Sequence, residues 1–287
     1  MTTYAFRLTC KLAGDNFAIK ENTPLILPAP MPPIQVMLGK SKDQTGDRTL
    51  ILQGGGFSSE EEARTAGTPV KTAVMLTGLL LGVGIDVGPN QVLGLQVVPE
   101  INRATTLGII FGRPVLKRPI SNSNLEEKVA ESYAPNKALT KKQTLAAQLY
   151  NQSHFQSSDA ARFLTLISAI EALVERHRRA PATVAFVNRV IENVATTGDL
   201  EESERKALID GLGNLKRESI SSACRRLVRT HCGDPAVEDF TRAYGIRGEL
   251  LHNGEPSPET DLAVELLHLD PLVRRLVVHH VSSSWRL

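Results

Sequence analysis

The sequence predicts an α+β fold: a sheet-rich α+β domain over residues 1–120 is followed, after a linker at 121–140, by an all-helical domain over 141–287. Three observations predict it. The first part alternates short β-like runs with clusters of Gly, Pro, Asn and Asp, the pattern of strands joined by turns. The last part carries apolar residues at helical spacing with no competing strand pattern. Between them, from Arg118 to Thr140, composition shifts to Ser, Asn, Lys and Glu with Pro119 and Pro135, as in a spacer holding a short helix. A length of 287 residues also exceeds the roughly 100 to 200 residues of one typical domain.

In chain order, YAFRLTCKL (4–12), LILPAPMPP (25–33), IQVMLG (34–39), RTLILQGGG (48–56), VLGLQVVPE (92–100) and TLGIIFGRPVL (106–116) read as strand-forming runs. Ser58-Ser59-Glu60-Glu61-Glu62 then starts a helix, a serine cap with acids against the positive end of the dipole. Its helical stretch is expected in two pieces up to Leu81, broken near Gly67-Thr68-Pro69. Gly54-Gly55-Gly56 sits between strand and helix, where phosphate loops occur, but neither GxGxxG nor GxxxxGK[ST] is present. A flexible turn is the expected role.

Beyond the spacer, helical patterns fall at about 141–154, 158–178, 182–195, 200–213, 215–231, 235–252 and 258–280. At about 100° per residue, the second groups Phe163, Leu164, Leu166, Ile167, Ile170, Leu173 and Val174 on one face, with Glu171 among them. The sixth groups Val237, Phe240, Ala243, Tyr244, Ile246, Leu250 and Leu251, with Arg247 in their midst and Asn253-Gly254 as its stop. A charge on a core-facing stripe is costly unless paired. Arg247 is therefore expected to be largely buried and to pair with Glu171 across the two helices. Arg176, His177, Arg178 and Arg179 are expected to complement the negative end of the first of these helices, and the three arginines are candidate phosphate contacts.

With 33 basic against 31 acidic residues, a net charge of +2, the chain has no bulk electrostatic footprint for nucleic acid, so any such surface must be local. Cys10, Cys224 and Cys232 match neither a disulfide framework nor a zinc site, which suits the reducing cytoplasm. His154, His231, His268, His279 and His280 lack metal-ligand spacing, and a packing or surface role is expected for each. No nucleophile elbow is present. The longest apolar stretch, Val74 to Val87, is interrupted by glycines and an aspartate and falls short of the roughly 20 residues of a membrane span.

Arg247-Gly-Glu-Leu-Leu-His252, followed by Asn253-Gly254, resembles the R-x4-H motif near the end of HEPN domains. The ordered blocks ARFLTLISAIEALVE, LGNLKRESISSACRRLV and YGIRGELLHNG resemble the Apea-like branch of that superfamily, and the resemblance covers roughly residues 143–280. It implies a metal-independent endoribonuclease of stress response or phage defence, with Arg247 and His252 as catalytic pair, Glu171 and Asn253 in support, RNA as substrate and no cofactor. Imidazole titrates near neutrality and suits proton transfer, while a guanidinium suits charge developing at phosphorus. Residues five apart on a helix project about 140° from one another, so the resemblance further implies a homodimer through the helical domain. The alternative is a catalytically inactive HEPN-like module for RNA binding or dimerisation, with the N-terminal domain recognising a partner.

Overall fold

In chain order the first half comprises β1 (Tyr4–Leu12), β2 (Phe17–Ala18), β3 (Pro24–Leu25), β4 (Ile34–Lys40), β5 (Arg48–Phe57), α1 (Glu60–Leu81), β6 (Ile85–Asp86), β7 (Gly94–Pro99) and β8 (Ile120–Ser121). The structure is a computed structural model that describes residues 3–13, 17–18, 24–28, 31–40, 48–88, 94–99 and 120–285. The strand-like run at 106–116 lies outside the described residues. The main sheet has the order β3-β4-β5-β1-β6, with β7 also pairing β1, and every pairing in it is antiparallel. A short parallel pair joins β2 to β8.

Along β1 the side chains of Phe6, Leu8, Cys10 and Leu12 are fully buried while those between them are half-buried, the period-2 pattern of a sheet with one face packed. Their partners across the ladder are Gly54, Leu52, Leu50 and Arg48 of β5. The glycine run is thus strand, not flexible turn. Phe6 pairs with Gly54, and a Cβ there would stand 2.5 Å from the Phe6 ring, so the aromatic ring occupies the room that a side chain would need.

Helix α1 lies across this face, starting where the serine cap predicts: Ser59 accepts from the Glu62 amide, and Ser58 donates to the Glu62 carboxylate from both its amide and its hydroxyl. It runs unbroken through Pro69, in contrast to the expected two pieces. An interior proline costs about 3 kcal/mol. Val70, Val74, Leu76 and Leu79 are all fully buried beyond it, at roughly 1.5–3 kcal/mol each, so tertiary packing outweighs the local penalty.

The second half comprises α2 (Asn122–Ser132), α3 (Lys141–Ser153), α4 (Asp159–Leu173), α5 (Pro181–Thr196), α6 (Glu202–Asn214), α7 (Ile220–Cys232), α8 (Asp234–Asn253) and α9 (Leu262–Trp285). The short helix expected in the spacer is α2, capped by Ser121, and it packs on α1 with Leu125 and Val129 buried. Helix α4 is central, touching α3, α7, α8 and α9. Helices α5 and α6 pack mainly on each other; α6 buries no residue and α5 only Val184 and Val187. No helix among the described residues is long and apolar enough to cross a membrane.

One apolar core runs from Phe6 to Val281 across both halves. At the joint Asn151 of α3, 1% exposed, donates to the Met75 and Ala147 carbonyls and accepts from the Ile85 amide at 3.0 Å. Its carboxamide fills the space beside Gly78 that a side chain on α1 would take. Nearby, Arg274 of α9 donates to the carbonyls of Leu79 and Leu80 at the end of α1. Replacing Asn151→Ala strands the Ile85 amide in the core, at about 1–3 kcal/mol, while the Met75 and Ala147 carbonyls keep their partners within their own helices. Urea denaturation should show a loss of about 2 kcal/mol with an unchanged slope; a loss below about 1 kcal/mol would remove Asn151 from its role at the joint.

Candidate functional site

The two misfit charges of the sequence meet. Glu171, in the last turn of α4, places Oε1 3.3 Å from a guanidinium nitrogen of Arg247 on α8. The same oxygen accepts a 2.9 Å hydrogen bond from the Tyr244 hydroxyl, and the Arg247 guanidinium lies 5.4 Å from the Tyr244 ring centroid. Tyr244 stands three residues before Arg247, on the same helical flank. Sequence reading placed Tyr244 on the buried arc but not in this cluster, although its spacing from Arg247 was a usable signal.

Arg247 is less buried than its place in the arc suggests. Its side chain is 29% exposed and that of Glu171 20%, so the pair sits at the rim of the core. Beyond this 3.3 Å ion pair its guanidinium forms no hydrogen bond among the described residues. Charge and ring hold the guanidinium by one nitrogen, and its other donors meet no acceptor among the described residues. Burial first, then the Glu171 hydrogen bond and charge, push the Tyr244 hydroxyl up to about 12, so it stays protonated and keeps donating. Cys224 close by is likewise pushed up to about 12, chiefly by burial, which leaves a thiol with no nucleophilic character near neutrality.

His252 lies in the last turn of α8 and is exposed, with no hydrogen-bond or ion-pair partner among the described residues. Asn253 ends the helix, exposed, and Gly254 stops it at φ 83°. Leu251, expected in the buried arc, is 51% exposed, because the helix end projects beyond the packing of its neighbours. The five-residue step from Arg247 carries His252 about 7.5 Å along the axis and about 140° around it. The two groups therefore leave α8 on different flanks. Two concavities, of about 580 and 560 Å³, lie along α1 and include neither residue.

The basic run 176–179 departs from its expected place. Helix α4 stops at Leu173 and the chain is extended from Val174, so these residues form no helix end. Instead they pair with the segment after α6: Arg179 N–H donates to the Lys216 carbonyl, Glu218 N–H to the His177 carbonyl, and Arg178 stands opposite Arg217. Arg176 donates to the carbonyls of Glu218 and Asn214, and Arg179 to that of Arg217. The Glu218 carboxylate accepts from Arg226 and from the His177 amide, which hold it below its ordinary value. Of the three candidate contacts, Arg178 alone keeps a wholly uncommitted guanidinium.

Three histidines given separate roles by sequence reading also come together. His231 at the end of α7 has ring-centroid distances of 4.5 Å to His279 and 5.9 Å to His280 of α9. No group of His, Cys, Asp or Glu among the described residues is arranged to hold a metal ion. No family model, curated protein or solved structure matches the chain.

Burial, reinforced by the neighbouring imidazoles, lowers His231 and His280 from the ordinary value of 6.5, with Glu175 opposing and Lys142 assisting at His280. The unfolded chain therefore binds more protons, and the linked stability is full above that value and lost as pH falls through it. The urea midpoint should fall between about pH 7.5 and about pH 5, and more steeply than in a His231→Gln variant. Equal slopes would exclude the cluster as the cause.

Proposed function

We propose that this chain is a metal-independent endoribonuclease of the HEPN type, acting as a homodimer through its helical half with Arg247 and His252 as the catalytic pair. The observation that carries this reading is the state of the two side chains. Arg247 is anchored by Glu171 and Tyr244 through one nitrogen while its other donors meet no acceptor among the described residues, and the His252 side chain is exposed and uncommitted. A fixed guanidinium that needs no rearrangement before meeting an anion is what stabilisation of a charged transition state requires. Because one helix separates the pair by about 140°, the two groups would meet on one phosphate only if they came from different copies.

In the reaction the ribose 2′-oxygen forms a bond to the adjacent phosphorus as the bond from phosphorus to the 5′-oxygen breaks. The 2′-hydroxyl proton passes to a base, and the leaving 5′-oxygen takes up a proton. His252 serves one of these transfers and Arg247 neutralises the equatorial oxygens. The products are a cyclic phosphate and a 5′-hydroxyl. Asn253 extends the same exposed helix end, and the free thiols of Cys10, Cys224 and Cys232 suit a cytoplasmic enzyme of stress response or defence, with the N-terminal half recognising its trigger.

A second reading draws on the Arg247–Glu171 ion pair. There Arg247 is a strut between α4 and α8, and the helical half binds RNA or a second copy without cleaving. Incubation of varied RNAs with the protein in chelator separates the two. The wild type should yield cyclic-phosphate ends, and His252→Ala and Arg247→Ala should each lose at least about a hundredfold in rate. Equal cleavage by the variants, or none by the wild type, gives the case to the second reading.

A further inference from the structure

The two segments at the base of the α5–α6 hairpin carry an arrangement that the fold does not require. Arg178 and Arg217 are cross-strand partners, and the flanking bonds, Arg179 N–H to Lys216 O at 2.9 Å and Glu218 N–H to His177 O at 3.0 Å, make them a non-hydrogen-bonded pair. In that geometry the two Cα atoms approach to about 4.5 Å and both side chains leave the ribbon on the same side. Two like charges directly opposite one another destabilise the pairing. Both residues are exposed, and neither side chain has a hydrogen bond or an ion pair among the described residues.

Their neighbours add to the charge. Arg179 and Lys216 are their neighbours in sequence, and of the carboxylates on the same two segments Glu218 is held by Arg226 while Glu175 lies 3.6 Å from Lys142. A chain of net charge +2 thus places four cations on two short segments, Arg178 and Arg217 on one face of the ribbon and Arg179 and Lys216 on the other, with no carboxylate partner for any of them among the described residues.

We propose that this ribbon, with Arg178 and Arg217 at its centre and Arg179 and Lys216 beside them, binds the phosphodiester backbone of single-stranded RNA. Successive phosphates of an extended chain can meet these cations one after another, whereas a single small anion would meet only one or two of them. Contacts of this kind carry charge and position but no base sequence. Arg178 follows Glu171, the partner of Arg247, by two helical steps and five extended ones. That is at most about 20 Å of backbone, within reach of one short oligonucleotide. The choice of RNA over other polyanions rests on the function proposed above; the ribbon's affinity for a phosphate chain does not.

The test uses the full chain carrying His252→Ala, so that cleavage does not consume the probe, and the anisotropy of a labelled uridine oligonucleotide of about 15 nucleotides. Adding Arg178→Ser and Arg217→Ser should lower affinity about tenfold or more and reduce the slope of log affinity against log salt by about 1.4, the value for two phosphate contacts on a single strand. The melting temperature should stay level or rise, since a like-charge pair is removed. An unchanged slope, or no binding by the parent, overturns the proposal. So does loss of binding to phosphatidylserine vesicles with RNA affinity unchanged, which would assign the ribbon to a membrane surface. If wild-type protein cleaves no RNA while the slope still shifts, the ribbon stands and the nuclease reading falls; if Arg178→Ser/Arg217→Ser protein cleaves and binds as before, the reverse holds.

Discussion

The buried carboxamide of Asn151 fixes how the rest of the molecule is assembled. It satisfies one carbonyl of α1, one of its own helix and the amide that opens β6, so α3 has a single registered position against the sheet half. An apolar side chain in its place would fill the space but accept several offsets; a buried amide tolerates only the one in which its donors and acceptor are all met. Helix α4 packs on α3, and α8 on α4, so the placement of Glu171 against Arg247 descends from this contact through two helix interfaces.

Three arginines illustrate how the same side chain is used differently according to its surroundings. Arg274 reaches into the joint and spends its donors on the last carbonyls of α1. Arg247 is held at the rim by a carboxylate and an aromatic ring with its other donors unspent. Arg178 stands opposite another arginine in water. The near-balance of charge over the whole chain conceals this sorting, because it sums groups whose electrostatic work is finished with groups whose work is still available.

Much of this was legible in the sequence. Periods of 2 and 3.6 separate the sheet half from the helical half, and Ser59 marks the start of α1 as surely on paper as in space. Glu171 and Arg247 were identifiable as partners because each is a charge on an otherwise apolar stripe, and each lacks another obvious solution. What escaped reading was non-local. Pro69 breaks a helix by local rules, and only the sheet beneath α1 overrides them. Gly54 looks like a turn until Phe6 is known to lie against it. The early end of α4 and the pairing of Arg178 with Arg217 depend on a segment nearly forty residues downstream, which no window of sequence contains. The clustering of His231 with His279 and His280 has the same origin.

The capping of α1 by Arg274 has a consequence in time as well as in space. The carbonyls it serves precede it by 195 and 194 residues, an interval that a ribosome takes on the order of 10 to 40 seconds to span. During synthesis the first long helix and its sheet emerge with the Leu79 carbonyl met only by the Gly82 amide, and the contact that ties this helix end to the bundle forms only when α9 arrives. The N-terminal half is thus made early but finished late, and a nascent chain stalled before α9 would hold its sheet without the clasp that closes it.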